Sequence, residues 1–280
     1  MITNIVYYKY YTINMTKNYI FYDLETNGLD YYTTGIMQIT MIDNNGNVLL
    51  NQYTYPYDNR IEGSNIHGID EEKLVSNNAV ATLDMCLLMK KIIREKYGRE
   101  IIYLVGYNNF GYDQIILENN FKISGVKISD NWNFIDLFPV MKELYPNMKP
   151  NYKLKTVYEI LCGSNDNINF HCALADTTCL YNIFNVIKDK TNYYEIYNRP
   201  LLQSKKIFDS PIFTISGYHK SIRLEDKGIR VIGDLYNIFK ETNFDMNCLE
   251  IILRNKYNIY SNFYLNNIIK SIFVIYYFHK

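Results

Sequence analysis

The sequence lacks most features of secreted and membrane proteins. Its five cysteines are odd in number and show no CxxC spacing, which argues against a disulfide framework and a structural zinc site. No positively charged start precedes a long apolar run, so we predict no signal peptide. The most apolar late stretch, Ile268–Phe278, contains Lys270 and is shorter than the roughly 20 residues of a membrane span. We expect a soluble protein of a reducing intracellular compartment, cytoplasm or nucleus, without a membrane partner.

An excess of charge of either sign is also absent. The 29 Lys and Arg residues balance 29 Asp and Glu residues, so the chain as a whole offers no long-range field that would attract nucleic acid. The C-terminal part differs, because residues 201–280 carry 11 basic and 7 acidic residues. With 48% hydrophobic residues over 280 positions, the composition is that of a folded protein of one or two domains.

Hydrophobic patterning predicts an α/β fold. Three antiparallel strands are expected first, over Tyr19–Glu25, Ile36–Ile42 and Val48–Tyr53. The residues Asn44–Asn47 favour positive φ and indicate a hairpin between the second and third strands. Helices are then predicted over 83–96, 113–117, 153–161 and 173–187, and strands over 101–105 and 132–135. Together these elements predict a mixed sheet flanked by helices.

We divide the chain into four parts. Residues 1–18 form an N-terminal extension, in which Met15 is an alternative start; residues 19–188 form the main domain, and residues 189–210 read as a linker. Residues 211–280 are predicted to form a small, mainly helical domain. Its helices are expected over Val231–Glu241, Cys248–Lys256 and Tyr264–Tyr277. For this domain, contact with nucleic acid through the basic run Lys220–Arg230 and docking of a protein partner both stay open.

Four acidic side chains stand at element ends that a mixed sheet can bring together: Asp23, Glu25, Asp113 and Asp176. Asp23 and Glu25 are two residues apart on a predicted strand, so both carboxylates face one side and repel each other unless a cation lies between them. Oxygen ligands with little histidine or thiolate favour Mg²⁺ or Mn²⁺ over zinc. Two such ions about 3.5–4 Å apart can hold the attacking and leaving oxygens of a phosphodiester.

His171 is the candidate general base. On one helix its five-residue spacing to Asp176 would turn the two side chains roughly 140° apart. We therefore predict that His171 lies in the loop before the helix Ala173–Ile187, from which it can reach the cleft that Asp176 faces. A histidine so placed can remove the proton from an attacking water, a contribution of roughly 10²–10⁴ in rate.

Three segments resemble the exonuclease motifs of the DEDDh (DnaQ-like) 3′→5′ exonuclease family, in the same order: Phe21–Gly28, Val105–Asp113 and His171–Asp176. The third segment has the His-x-Ala-x-x-Asp pattern of the histidine branch, and the second is most similar to bacterial exodeoxyribonuclease I. The similarity covers roughly residues 19–188.

This resemblance implies a ribonuclease H-like fold with a mixed five-stranded sheet, three antiparallel strands followed by parallel ones. It also implies hydrolysis of DNA or RNA 3′ ends to nucleoside 5′-monophosphates. The four acids would be ligands of two Mg²⁺ ions, which Mn²⁺ would replace, and His171 would be the base. DNA and RNA are equal candidates as the nucleic-acid partner.

The resemblance further implies substrate-binding residues. Thr26 and the apolar wedge Leu29 would contact the 3′-terminal nucleotide, His67 belongs to a further family-like stretch beside it, and Asn108 would support the second motif. The sequence departs from the family at two positions. Asn27 replaces a frequent Thr, and Tyr112 replaces a usual Phe; neither change removes a ligand.

Plainer explanations exist for single residues. Asp113 alone reads as a helix N-cap, and His67 reads equally well as a turn histidine beside Gly68. Asp136 either supports the site or, as we prefer, caps a helix that begins at Leu137. The alternative function from another class is a catalytically silent exonuclease fold that binds 3′ ends or recruits a protein partner. Proofreading in trans for a polymerase is a third possibility.

Overall fold

The structure is a computed structural model, and it describes residues 17–29, 33–163, 168–188, 209, 212 and 224–279. Several sequence predictions lie outside these ranges. They are Met15 with the rest of residues 1–16, the linker 189–210 except Asp209, and the part of the basic run before Leu224.

A six-stranded mixed sheet forms the centre of the described chain. Its strands are β1 (Asn18–Thr26), β2 (Ile36–Asp43), β3 (Val48–Tyr55), β4 (Val80–Ala81), β5 (Ile102–Gly106) and β6 (Trp132–Asp136). The spatial order is β4-β3-β2-β1-β5-β6. Strands β1, β2 and β3 pair antiparallel, whereas β5 and β6 continue the sheet in parallel from β1.

The predicted mixed sheet with three antiparallel strands first is thereby confirmed, but the predicted number of five strands is one too low. The additional strand β4 has two residues and pairs in parallel with Thr54 and Tyr55. Two residues are too few to show the alternation of polar and apolar side chains by which a strand is recognised in a sequence.

Helices cover both faces of the sheet and continue beyond it. They are α1 (Ser64–His67), α2 (Glu71–Ser76), α3 (Thr82–Tyr97), α4 (Asp113–Ile123), α5 (Leu137–Leu144), α6 (Leu154–Cys162), α7 (Ala173–Lys188), α8 (Ile232–Glu241), α9 (Met246–Asn255) and α10 (Asn262–His279). Short 3₁₀ helices lie at Asn109–Gly111 and Glu225–Lys227. The short helices α1 and α2 were not predicted, because each has fewer than two turns of periodic pattern.

Alternate side chains of β1 point to opposite faces of the sheet and belong to two separate hydrophobic cores. Ile20 and Tyr22 face α3 and α4 in one cluster of buried apolar side chains, whereas Tyr19 and Phe21 face α6 and α7 in another. The Phe184 ring of α7 lies 4.9 Å from the Tyr19 ring and 5.0 Å from the Phe21 ring, measured between centroids. Because Asp23 and Glu25 share the parity of Tyr19 and Phe21, their carboxylates emerge on the side that α7 covers.

The three C-terminal helices form a core of their own that also contains Ile115 of α4. Lys122 of α4 contacts the N-cap residue of α9, with 4.0 Å between Lys122 Nζ and Asp245 Oδ2. The predicted helices of this region are therefore present, although their function and the domain boundaries stay predictions. Within the described ranges, no helix is both long enough and apolar enough to cross a membrane.

Gln114 of α4 is fully buried, and neither its amide nitrogen nor its oxygen has a hydrogen-bond partner. A buried polar group without a partner costs about 1–3 kcal/mol. We expect the substitution Gln114→Met, which keeps the length of the side chain, to raise the free energy of unfolding by about 1–2 kcal/mol, because it removes both unpaired groups. Denaturant unfolding measures this change.

Asn120 of the same helix is the matched control for Gln114. It is equally buried, but its amide nitrogen donates to the carbonyls of Thr34 and Ile116, and its oxygen accepts from the Ile36 N–H. Asn120→Leu should therefore destabilise the protein. A loss of stability in both variants would contradict the assignment of Gln114 as an unpaired group.

Candidate active site

The candidate site lies at the end of β1 in the middle of the sheet. Strand β1 pairs in parallel with β5, so the segment after β5 emerges at the same edge as the end of β1. The β1–β2 pairing also shifts register between Glu25 and Thr26. Irregularities of this kind redirect side chains at the end of a strand.

Three of the four predicted ligands meet at this edge. One carboxylate oxygen each from Asp23, Glu25 and Asp176 lies within 4.8 Å of the other two. Glu25 is buried, whereas Asp23 and Asp176 are partly buried. Asp113 does not belong to this close group, but it lies near enough for its charge to raise the pKa of Asp23 and of Glu25.

Burial raises the pKa of all four acids, and the charges of neighbouring carboxylates raise it further for Asp23, Glu25 and Asp113. Burial raises the pKa of Asp23 well above its ordinary value, and the charges of Asp113, Asp176 and Glu25 raise it further. Burial, followed by the charges of Asp176 and Asp113, raises the pKa of Glu25 to about 8. Burial is also the largest cause for Asp113, with a pKa of about 7, and for Asp176, with a pKa of about 6. A cation at the site would relieve this repulsion.

The donor set fits a divalent metal ion. All the converging groups are carboxylates, the hard oxygen donors that Mg²⁺ and Mn²⁺ prefer. Asp176 Oδ1 is buried without any hydrogen-bond partner, which is costly for a carboxylate unless a cation binds it. The second oxygen of Asp176 accepts a hydrogen bond of 3.1 Å from the His171 backbone N–H.

His171 lies in the loop before α7, as its spacing to Asp176 predicted. Its φ of 66° belongs to the left-handed region, and the residue is exposed. The charge of His171 and its backbone N–H both act to lower the pKa of Asp176, against the larger effect of burial. The imidazole is therefore placed beside the acidic cluster and accessible to solvent.

The turn after β1 carries Thr26 and Leu29, whose contacts with a terminal nucleotide stay a prediction. Leu29 is 79% exposed, as a wedge residue would be. Thr26 Oγ1 lies 3.1 Å from the Gly28 carbonyl oxygen and 2.6 Å from the hydroxyl oxygen of Tyr112. The Tyr112 hydroxyl also donates to the Gly28 carbonyl.

Asp136 explains the shape of the segment after β5. Its carboxylate accepts from the Phe138 N–H at 2.9 Å, so the prediction that it caps α5 is correct. It also accepts from the backbone N–H groups of Asn108, at 2.7 Å, and Phe110, at 3.2 Å. Burial nevertheless raises the pKa of Asp136 to about 7. Asn108 has a φ of 58°, so it stands in a left-handed turn that the Asp136 carboxylate holds, and its support of the second motif stays a prediction.

The structure bears on the plainer explanations of Asp113 and His67. Tyr112 occupies the N-cap position of α4 and Asp113 is the first helical residue, so the N-cap explanation of Asp113 is wrong. His67 is buried, its Nδ1 accepts from the Ile69 N–H, and its Nε2 lies 3.1 Å from the Glu62 carbonyl oxygen. These contacts are those of a turn histidine, and substrate binding by His67 stays a prediction.

Two residues near the site had no predicted role. Asn27 is fully buried; its side chain donates to Asp58 and to the Arg60 carbonyl and accepts from the Gly35 N–H. The sequence singled out Asn27 only as a departure from Thr. Lys73 lowers the pKa of Glu25 through its positive charge. It lies on the unpredicted helix α2, so no pattern pointed to it.

Comparisons with known proteins find exonucleases. No protein-family model matches the chain. The chain is similar to the exonuclease DPD1, chloroplastic/mitochondrial, of Arabidopsis thaliana, with 26% identity over 173 residues, covering 58% of this chain and 53% of that protein. The chain thus spans about half the length of this curated relative.

Solved structures of E. coli exonuclease I share the fold. The zinc-bound complex with single-stranded DNA has a TM-score of 0.55 at 17% identity, over 68% of this chain and 44% of that one. The complex with a dA16 oligonucleotide has a TM-score of 0.52 at 17% identity, over 67% and 44%. These comparisons confirm the resemblance to exonucleases and the fold predicted from it.

Proposed function

We propose that this chain, which has the fold of exonuclease I, is a metal-dependent 3′→5′ exonuclease of the DEDDh type. One observation carries the proposal. Three carboxylates from two segments about 150 positions apart converge within 4.8 Å, at the end of the central strand. Such a cluster is costly without a cation, as the raised pKa values and the unpartnered oxygen of Asp176 indicate.

The four acids Asp23, Glu25, Asp113 and Asp176 would hold two divalent ions, Mg²⁺ or Mn²⁺. When bound, such ions neutralise charge on the phosphate and promote ionisation of water. The four side chains themselves fix the positions of the negative charges at the site, because each of them lies on a strand or a helix.

The reaction is hydrolysis of the terminal phosphodiester. Water attacks phosphorus, a P–O bond to water forms, and the bond between phosphorus and the 3′ oxygen of the remaining strand breaks. His171 accepts the proton of the attacking water, and the departing 3′ oxygen gains a proton. The products are a nucleoside 5′-monophosphate and a strand shortened by one nucleotide. The turn Thr26–Leu29 receives the terminal nucleotide, with the exposed Leu29 side chain against its base.

Single-stranded DNA is the first substrate to test, because it is the ligand in the E. coli exonuclease I complex. A strand labelled at its 5′ end, incubated with Mg²⁺, should give a ladder of products shortened from the 3′ end, and EDTA should abolish it. Parallel reactions with double-stranded DNA and with RNA compare the other substrates. Intact strands in both lanes, with retained binding, would instead indicate a catalytically silent module.

His171→Ala should lower the turnover rate by about 10²–10⁴ at pH 7, because the variant lacks the base that removes the proton from water. The difference in turnover rate between this variant and the wild type should become smaller toward pH 9, because hydroxide is more abundant there. Initial rates between pH 6 and 9 measure this dependence, and added imidazole should restore part of the activity. A pH–rate profile that coincides with that of the wild type would assign the base to another residue.

A further inference from the structure

The hydroxyl of Tyr112 closes a triangle of three oxygen atoms. Its other corners are Thr26 Oγ1, at 2.6 Å, and the Gly28 carbonyl oxygen, to which Tyr112 donates. The third side is the 3.1 Å contact between Thr26 Oγ1 and the Gly28 carbonyl oxygen. Tyr112 is 86 positions from Thr26, so these contacts join two separate segments of the chain.

Counting protons shows how the triangle is held. A hydroxyl donates one hydrogen bond, and a carbonyl oxygen only accepts. The two hydroxyls therefore supply two protons: one is shared between Tyr112 and Thr26, and the other goes to the Gly28 carbonyl. With both protons used inside the triangle, Thr26 Oγ1 can offer a bound nucleotide only a lone pair.

The triangle connects two segments of the candidate active site. Thr26 directly follows Glu25, and Tyr112 directly precedes Asp113, so the triangle joins the two segments that carry candidate ligands. Gly28 precedes the exposed Leu29. The Tyr112 hydroxyl thus fixes the turn Thr26–Leu29 to the start of α4. A phenylalanine at position 112 would leave the Thr26–Gly28 contact without this attachment.

We propose that Tyr112 is a positioning residue that holds the turn Thr26–Leu29 in the conformation that receives the 3′-terminal nucleotide. The proposal rests on the proposed function, because it concerns the substrate of the same site. Since Tyr112 acts through the turn, its loss should weaken binding of the terminal nucleotide and leave the chemical step largely intact.

The test is the substitution Tyr112→Phe, which removes only the hydroxyl. One hydrogen bond contributes about 0.5–1.5 kcal/mol, so KM for a short single strand should rise roughly 3- to 10-fold while kcat stays within about twofold. Thr26→Val should raise KM similarly, and the double variant should be no worse than the worse single variant, because both remove the same contact. Mn²⁺ affinity, measured by calorimetry, should be unchanged.

Tyr152→Phe is the matched control. Tyr152 likewise donates its hydroxyl to a carbonyl, that of Tyr145 at 2.7 Å, in a segment that carries none of the candidate site residues. It should leave KM unchanged. An unchanged KM in Tyr112→Phe, additive effects in the double variant, or an equal KM change in Tyr152→Phe would overturn the proposal.

The role of Tyr112 can be tested even if the proposed exonuclease activity is absent. Wild-type protein that hydrolyses no strand under any condition contradicts the proposed function. In that case the dissociation constant of a 3′-hydroxyl oligonucleotide, measured by fluorescence anisotropy in Ca²⁺, replaces KM. A 3- to 10-fold weaker binding by Tyr112→Phe would then support the role of Tyr112, and equal binding would overturn it.

Discussion

Asp23→Ala is expected to lower 3′-end hydrolysis by at least roughly a thousandfold, the scale of loss seen when one member of a catalytic unit is removed. Carboxylate oxygens of Asp23, Glu25 and Asp176 lie within 4.8 Å of one another, so the loss of Asp23 removes one of the three acids that meet at the site. The protein should stay folded, because a charge is removed from a crowded cluster. Initial rates with Mg²⁺ and the melting temperature of the same variant measure both effects.

Asp113→Ala should behave in the same way, because the charge of Asp113 acts on the cluster from α4. Glu95→Gln is the control, since Glu95 is an exposed acid of α3 whose carboxylate lies 3.9 Å from Lys91 Nζ. Its activity should equal that of the wild type. Near-wild-type rates in Asp23→Ala would contradict the assignment of Asp23 as a ligand.

The metal-free protein should lose stability as the pH rises from 5 to 8. Asp176, Asp113 and Glu25 have folded-state pKa values of about 6, 7 and 8, above the ordinary value of about 4 in an unfolded chain. The folded state therefore binds more protons than the unfolded state between these limits, and unfolding becomes easier with rising pH. Lys73 opposes this effect only in part, through Glu25.

The expected change is a decrease of at least about 5 °C in melting temperature between pH 5 and pH 8 in EDTA, which corresponds to a few kcal/mol for a chain of this size. Saturating Mg²⁺ should remove the part of this difference that comes from the candidate ligands, because metal ions bind deprotonated carboxylates; the part that comes from Asp136, whose pKa is about 7, should remain. The stabilisation by Mg²⁺ should thus be larger at pH 8 than at pH 5.

Asp23→Ala provides the control for this pH dependence. With one acid fewer, the metal-free variant should show a smaller decrease between pH 5 and pH 8 than the wild type, and Mg²⁺ should stabilise it little. Equal melting temperatures of the metal-free wild type at both pH values would show that burial and repulsion do not raise the pKa values of these carboxyl groups. That result would contradict the statement that the cluster is costly without a cation.

The candidate ligands could be named from the sequence because their local patterns are short. The period of two along β1 placed Asp23 and Glu25 on one face, and the five-residue spacing to Asp176 placed His171 before α7. Both statements depend only on the geometry of a single element. Asn27, Tyr112 and Lys73 were not understood in this way, because their contacts are with residues far along the chain. For Tyr112, the partners Thr26 and Gly28 are more than 80 positions away.

By itself the sequence determined the type of each long element and the chemical nature of the candidate site. Apolar periodicity and turn residues act within a few positions, so strands, helices and the hairpin at Asn44–Asn47 follow from neighbours in the chain. Only the tertiary structure decided which segments meet: β5 beside β1, the start of α7 over Asp23, and the Tyr112 hydroxyl on Gly28. Those contacts arise because both faces of the sheet must be buried at once, a condition that acts on the whole chain and on no single segment.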